Sequence, residues 1–248
     1  MSTTLAHQTV PVPNRGFLTR YHFLLRRLHS LTGVLFGGYL IVHLLVNSTL
    51  AQGPGGAEKL NVFQEQVNKI HDLPHLVAIE WMFIYLPIIY HTLYGIYITV
   101  IGQPNIARYG YTRNWLYIFQ RITAVILIFF LLFHVLTFKG VLGGVMQGAL
   151  IFKPDDAYFS TVKHLMAAWW IWAVIYPIGV LSAAFHLANG FYAAAITWGL
   201  TISRKAQLRW AAVCALIFFT AFGSGMAALV GAIVNSNVLD RTQQILGV

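Results

Sequence analysis

Five long apolar runs, separated by polar connections, dominate the hydrophobic pattern of the chain. The runs lie at about residues 26–49, 77–101, 115–138, 165–198 and 210–234. Each is long enough to supply the roughly 20 helical residues that cross a bilayer, and the fourth exceeds that length, so we expect it to tilt or to project. The pattern predicts an all-α integral membrane bundle of five transmembrane helices at 26–234, with a polar N-terminal arm at 1–25 and a short tail at 235–248.

Composition supports this class of protein and excludes others. Hydrophobic residues make up 58% of the chain, charged residues make up 9%, and the mean hydropathy is +0.67. The formal charge of +9 comes from basic residues that flank the apolar runs, so it indicates membrane topology rather than nucleic-acid binding. The only cysteine, Cys214, lies in the last run. A single thiol supports neither an intramolecular disulfide nor a cysteine-based iron–sulfur site.

The distribution of charge predicts the orientation of the bundle. With the N-terminus inside, ten of the 16 Lys and Arg residues fall on the inner side, and all seven acidic residues fall outside or at the outer end of a run. Inner loops of membrane proteins carry an excess of Lys and Arg. We therefore expect the N-terminus inside and the C-terminus outside.

Four histidines lie well inside the apolar runs, one in each of the first four. His43 and His134 come late in runs that cross from inside to outside, whereas His91 and His186 come late in runs that cross the other way. At ~1.5 Å of rise per residue, this places the first two at an outer level and the other two at an inner level, roughly 10 Å apart. An ionisable residue at membrane depth indicates a functional site.

Two depth-matched histidine pairs on facing helices are suited to two haems. Each pair offers one imidazole to each side of an iron, and Gly95 and Gly190, each four residues after a histidine, offer space for a macrocycle. With both axial positions filled, the chemistry is electron transfer. The alternative is that each histidine hydrogen-bonds a neighbouring helix. Zinc fits less well because these depths lack carboxylate and thiolate ligands.

Other polar residues offer weaker signals. His29 lies 14 positions before His43, near the inner surface, with Arg27 and Ser30 beside it, and Arg121 lies near the inner end of the third run. These four could contact haem propionates or a quinone head group, or they could anchor helix ends among lipid headgroups. Three further histidines fall in the outer connections, where we expect them to be solvated or interfacial: His71, His75 and His164.

Four sequence runs carry a resemblance to a known family. They are Arg26-Arg-Leu-His-Ser-Leu-Thr-Gly33, Leu86-Pro-Ile-Ile-Tyr-His-Thr-Leu-Tyr-Gly95, Arg113-Asn-Trp-Leu-Tyr-Ile-Phe-Gln-Arg121, and Phe185-His-Leu-Ala-Asn-Gly190 followed by Thr197-Trp-Gly199. Over roughly residues 20–230, the chain resembles the single-chain, five-helix, di-haem cytochrome b anchor of succinate:quinone oxidoreductases. This family includes the anchors of succinate dehydrogenases and of related fumarate reductases.

The resemblance implies specific roles and partners. It assigns His91 and His186 to a proximal haem b, and His43 and His134 to a distal haem b. It also implies a flavoprotein and an iron–sulfur subunit on the cytoplasmic face of a bacterial inner membrane, and a quinone that is often menaquinone in proteins of this type. Some di-haem fumarate reductases carry a glutamate, proposed to move protons, two residues before the fourth ligand. Here that position is Ala184, which argues against such a pathway.

We therefore expect an electron-transferring anchor that links a peripheral dehydrogenase to the quinone pool and contains no dicarboxylate active site of its own. One alternative is the haem b subunit of a hydrogenase or formate dehydrogenase. A second alternative, from a different class, is a haem-free transporter that uses the histidines as a proton relay.

Overall fold

The computed structural model describes residues 21–54, 61–141 and 151–246, and its side chains as far as 236. Most of the predicted polar arm, residues 1–20, lies outside this part of the chain. The described residues form α1 (His22–Ser48), α2 (Val62–His71), α3 (Leu76–Val100), α4 (Thr112–Phe138), α5 (Ala157–Met166), α6 (Ile171–Thr197) and α7 (Arg204–Leu246). Five of these, α1, α3, α4, α6 and α7, are long and apolar enough to cross a membrane. The predicted all-α class with five spans is confirmed.

The observed boundaries differ from the expected ones at three places. Helix α1 begins at His22, inside the stretch assigned to the polar arm. The fourth apolar run does not form one long tilted helix, because α5 ends at Met166 and a bend at Ala167 precedes α6. Helix α7 continues through Leu246, so the described part of the C-terminal tail is helical. Hydropathy did not reveal the bend because the residues on both sides of it are apolar.

Helices α3 and α6 share an unusual local geometry. A π-helical turn at Trp81–Tyr85 lies just before Pro87, and another at Ile171–Ile175 lies just before Pro177. Proline offers no N–H to the carbonyl four residues earlier, and its ring clashes with that carbonyl. A widened turn relieves this clash without ending the helix. The two prolines therefore shape both helices that carry the predicted inner histidines.

Helix α6 is the centre of the bundle. It packs against α1, α4 and α7, and α1 in turn packs against α3 and α7. Half of the most apolar stretch of α6 is buried within the chain, compared with 6% of the corresponding stretches of α3 and α4. The outward surfaces of α3 and α4 are apolar, as expected for helices that face lipid or bound apolar groups. We use "inner end" for the end of the bundle where α1 begins and "outer end" for the opposite end.

Two short helices, α2 and α5, form a cap on the outer end that the sequence pattern did not predict. Gln64 joins them, because its Oε1 accepts a hydrogen bond from the Ala157 backbone N–H at 2.7 Å and its Nε2 donates to the Pro154 carbonyl at 2.7 Å. Apolar side chains of both helices pack into one cluster with the ends of α1, α6 and α7, including Leu50, Phe63, Tyr158, Tyr176 and Leu229. The cap therefore folds against the bundle rather than extending into solvent.

The contact between α7 and the 3-10 turn Thr49–Gln52, which follows α1, depends on a glycine. A Cβ added to Gly231 would lie 2.5 Å from Cα and 2.6 Å from N of Ala51, which are backbone atoms that cannot rotate away. We expect Gly231→Ala to destabilise the fold by about 1–3 kcal/mol, as overpacking of a tight contact does, and to lower the unfolding temperature of detergent-purified protein. Gly223→Ala, on the same helix but with open space around the new Cβ, is the control. Equal unfolding temperatures for the two variants would contradict this expectation.

Candidate functional site

The structure brings His91 and His186 together at the inner level. His91 lies on α3 and His186 on α6. Their ring centroids are 6.1 Å apart, and the ring planes are nearly perpendicular at 83°. Both rings are partly exposed within the chain. The two imidazoles thus face each other across a gap that neither ring fills.

His43 and His134 form a second pair with almost the same geometry. His43 lies on α1 and His134 on α4. Their centroids are 6.0 Å apart and their planes meet at 86°. The structure therefore gathers the four histidines into the two pairs that depth predicted, with each pair drawn from two different helices.

All four rings use Nδ1 for the hydrogen bonds that they make within the described chain. At the inner level, His91 Nδ1 lies 3.0 Å from the His29 carbonyl oxygen, and His186 Nδ1 lies 3.2 Å from the Gln120 carbonyl oxygen. A carbonyl can only accept, so these bonds place the proton on Nδ1 and leave Nε2 with a free lone pair. In a metal-binding histidine, the hydrogen bond of one nitrogen fixes which nitrogen binds the metal.

At the outer level the Nδ1 partners are tyrosine hydroxyls. His134 Nδ1 lies 3.1 Å from the Tyr176 hydroxyl, and His43 Nδ1 lies 3.4 Å from the Tyr39 hydroxyl. A hydroxyl can donate or accept. The outer pair therefore depends on side chains for its tautomeric state, whereas each inner ring has a main-chain carbonyl partner. His186 Nδ1 also lies 3.3 Å from the Thr123 hydroxyl.

These distances fit two imidazoles that share one haem iron. An imidazole nitrogen binds a transition metal at ~2 Å and its ring centroid lies about 1.1 Å further away, so two axial imidazoles have centroids roughly 6.2 Å apart. The observed separations are 6.1 and 6.0 Å. No group of three or more His, Cys, Asp or Glu among the described residues is arranged to hold a bare metal ion. Two-ligand sites of this kind suit a macrocycle that supplies the other ligands to its own iron.

His29 belongs to the inner site through contact with His91. The two rings stack with centroids 4.0 Å apart and planes within 12°, and the His29 carbonyl oxygen accepts the His91 hydrogen bond. Its Nδ1 is buried and has no hydrogen-bond partner in the described structure. His29 therefore supports His91 directly. Its predicted contact with a propionate or a quinone stays a prediction.

The sequence pointed to two glycines at the inner site, and the structure shows a third that lies closer to a paired histidine. A Cβ on Gly95 would meet His29 Cε1 at 3.3 Å, and a Cβ on Gly190 would meet Gln120 Nε2 at 3.5 Å. The close approach to a paired histidine comes instead from Gly33, where a Cβ would lie 2.6 Å from His91 Cε1. The role of Gly95 and Gly190 in haem packing stays a prediction.

The structure separates the polar residues of the inner end into two groups. Arg27 stacks over the Trp198 ring at 5.1 Å, and Ser30 Oγ accepts a hydrogen bond from Trp198 Nε1 at 3.1 Å. Arg121 stacks on Tyr117 at 3.4 Å and bonds the Ile98 carbonyl at 3.4 Å. The Nε atoms of Arg27 and Arg121 are buried without a hydrogen-bond partner in the described structure. Each guanidinium thus keeps a donor available for an anionic group.

One sequence-based expectation, that His164 is solvated or interfacial, is wrong. His164 lies on α5, one of the two cap helices, and its side chain is fully buried. Burial lowers its pKa to about 4. Its ring contacts that of Phe138, with centroids 3.9 Å apart and planes tilted by 32°, and its Nε2 lies 3.0 Å from the Tyr176 hydroxyl. Spacing along the chain could not reveal this contact, because α5 folds back over the bundle. Tyr39, in contrast, is one helical turn before His43 and could have been found from spacing.

Five apolar helices that hold facing histidine pairs define the class of membrane-embedded b-type cytochromes. A family model for the succinate dehydrogenase/fumarate reductase transmembrane subunit matches residues 102–223. The succinate dehydrogenase cytochrome b558 subunit of Bacillus subtilis (strain 168) is 34% identical over 208 residues, which cover 84% of this chain and 95% of that protein.

The chain belongs to this family of succinate dehydrogenase/fumarate reductase membrane subunits. It is a multi-pass membrane protein, a cytochrome b subunit with haem b as its cofactor, and its role is electron transfer within the membrane anchor of the complex. The resemblance read from the sequence runs is thereby confirmed.

Proposed function

We propose that the chain holds two haems b and passes electrons between a peripheral dehydrogenase and a membrane quinone. His91 and His186 would hold the iron of the inner haem, and His43 and His134 would hold that of the outer haem. The observation that carries this proposal is the geometry of the two pairs, with centroids 6.1 and 6.0 Å apart and every Nδ1 engaged. Haem b supplies a one-electron couple at each level.

The protein contributes ligands, orientation and an apolar surround. Iron ligation by Nε2 requires that this atom carry no proton. The carbonyl partners of His91 and His186 meet this requirement, and the tyrosine partners of His43 and His134 meet it when their hydroxyls accept from Nδ1. An iron held by two histidines would have no open position for a small substrate, so the chemistry that the haems would supply is electron transfer. The buried, unpartnered Nε atoms of Arg27 and Arg121 are suitable donors for haem propionates, and Ser30 and His29 lie on the same helix as Arg27.

The partners belong to the same proposal. A flavoprotein and an iron–sulfur subunit dock at the inner end, which faces the cytoplasm of a bacterial inner membrane. The support is the excess of Lys and Arg at this end and membership of a family of dehydrogenase membrane subunits. The electron acceptor or donor within the membrane is a quinone, of the menaquinone class.

Haem analysis tests the central claim. Purified, intact complex should contain about two haems b per chain, with spectra of low-spin, bis-histidine iron. The measurement is the pyridine haemochrome of a sample whose subunit content has been quantified. One haem or none per chain in intact complex would contradict the proposal. A haem-free transporter predicts no b-type signal at all, and a hydrogenase or formate dehydrogenase subunit predicts different proteins in the purified complex.

A further inference from the structure

A hydrogen-bonded chain connects the outer cap to the proposed outer ligand His134. The Tyr176 hydroxyl lies 3.1 Å from His134 Nδ1 and 3.0 Å from His164 Nε2. The three residues come from three different helices, α4, α6 and α5. Tyr176 and His164 are both buried. Neither residue was singled out by the sequence for a role at the haem.

If His134 binds iron, the hydrogen bonds from His134 to Tyr176 to His164 all donate in the same direction. An imidazole that binds iron through Nε2 carries its proton on Nδ1. His134 Nδ1–H then donates to the Tyr176 oxygen, and the single hydroxyl proton of Tyr176 donates to His164 Nε2. This last step needs a neutral His164 ring, and burial lowers the pKa of His164 to about 4, so the ring is neutral at physiological pH.

The inner pair has no equivalent of this series of side-chain hydrogen bonds. His91 and His186 each have a carbonyl partner, that of His29 and that of Gln120, and a substitution cannot remove a main-chain carbonyl. The Thr123 hydroxyl also lies 3.3 Å from His186 Nδ1, but its own proton bonds the Phe119 carbonyl at 2.7 Å and not a second ring. The second outer histidine, His43, has a tyrosine partner at the longer distance of 3.4 Å on its own helix. Tyr176 is therefore the Nδ1 partner whose substitution should affect a proposed ligand most directly.

We propose that Tyr176 and His164 are positioning residues for His134, and that they set the reduction potential of the outer haem. The inference rests on the proposed function, in which His134 is an axial ligand. A hydrogen bond from Nδ1–H to an acceptor fixes the ring and makes its other nitrogen a stronger donor to the metal. A stronger donor stabilises the oxidised iron. The acceptor Tyr176 is itself polarised by its bond to His164.

The test is a redox titration of the assembled complex, read by optical and electron paramagnetic resonance spectra of each haem. Tyr176→Phe removes the acceptor but keeps the ring, and should shift the midpoint potential of the outer haem upward and alter its low-spin signal. His164→Leu should shift it in the same direction by less. His164→Gln, whose amide oxygen can still accept from Tyr176, should restore the wild-type value. The inner haem should not change in any of the three.

Tyr158→Phe is the matched control. It deletes a hydroxyl that is also buried in the outer cap but has no hydrogen-bond partner in the described structure, so both midpoints should stay at wild-type values. An unchanged outer midpoint and spectrum in Tyr176→Phe would overturn the inference, as would equal shifts of both haems. If Tyr176→Phe does not assemble, identical outer midpoints in His164→Leu and His164→Gln would overturn it.

A separate variant distinguishes this inference from the proposed function. His134→Ala should remove the outer haem. If both haems remain in that variant, the ligand assignment fails, and the inference fails with it. If the outer haem is lost in His134→Ala but Tyr176→Phe has no effect on its potential, only the positioning role is wrong.

Discussion

His91→Ala and His186→Ala should each remove the same haem, so the assembled complex falls from about two haems per chain to about one. His43→Ala and His134→Ala should each remove the other haem. The reason is geometric, since facing rings are 6.1 and 6.0 Å apart and a bond of ~2 Å to iron cannot extend from one level to the other, roughly 10 Å away. Low-temperature spectra and redox titration of the four variants would identify which component is lost.

The control for these variants is a histidine outside both pairs. His71 is also helical, and its Nδ1 also bonds a main-chain carbonyl, that of Val67 at 3.0 Å. His71→Ala should therefore retain both haems. Because a macrocycle also fills space between helices, spectra should be compared only for variants that still assemble. If His91→Ala and His134→Ala lost the same component while His186→Ala lost the other, the pairing would be wrong.

Gly33→Leu should remove the inner haem while leaving the outer one in place. A Cβ at this position would lie 2.6 Å from Cε1 and 2.8 Å from Nδ1 of His91, so even Gly33→Ala must displace the ring. That movement breaks or stretches the bond from His91 Nδ1 to the His29 carbonyl. Loss of such an orienting bond typically lowers metal affinity by roughly tenfold or more. We expect a graded loss of inner haem from glycine to alanine to leucine, measured by haem content and reduced-minus-oxidised spectra.

Gly38 provides a control on the same helix. A Cβ at Gly38 has no neighbouring atom within 4 Å, so Gly38→Ala changes helix propensity equally without touching the site. It should retain both haems. Inner haem at wild-type occupancy in Gly33→Leu would show that His91 tolerates displacement, and would argue against the tight orientation described above.

The sequence alone determined the class, the spans and the pairing of the histidines. Runs of more than about 20 apolar residues are long enough to cross a bilayer as helices, and a helix satisfies each of its backbone polar groups within its own segment, as lipid requires. Once the spans alternate in direction, the position of His91 or His134 along its run sets its depth. The family motifs around Gly33 and Gly95 are local stretches of sequence, so they too could be recognised without coordinates.

The sequence could not locate the ends and bends of the helices. The bend at Ala167 has no distinct hydropathy signal because it lies within one apolar run. The cap helices α2 and α5 have none because they are short. The two cap helices are joined by Gln64, whose partners Pro154 and Ala157 are about 90 residues away along the chain. Contacts of this kind follow from packing rather than from local preference.

Only the tertiary structure decided which groups surround the paired histidines. The Nδ1 partner of His91 is 62 residues away and that of His134 is 42 residues away. Depth along a helix can be counted from sequence, but the direction in which a side chain points depends on the rotation and crossing angle of two packed helices. Those angles also decided that Gly33, rather than Gly95, contacts His91, and that the buried His164 meets Tyr176 beneath the cap. They arise from the packing of whole helix surfaces, which no single stretch of the sequence encodes.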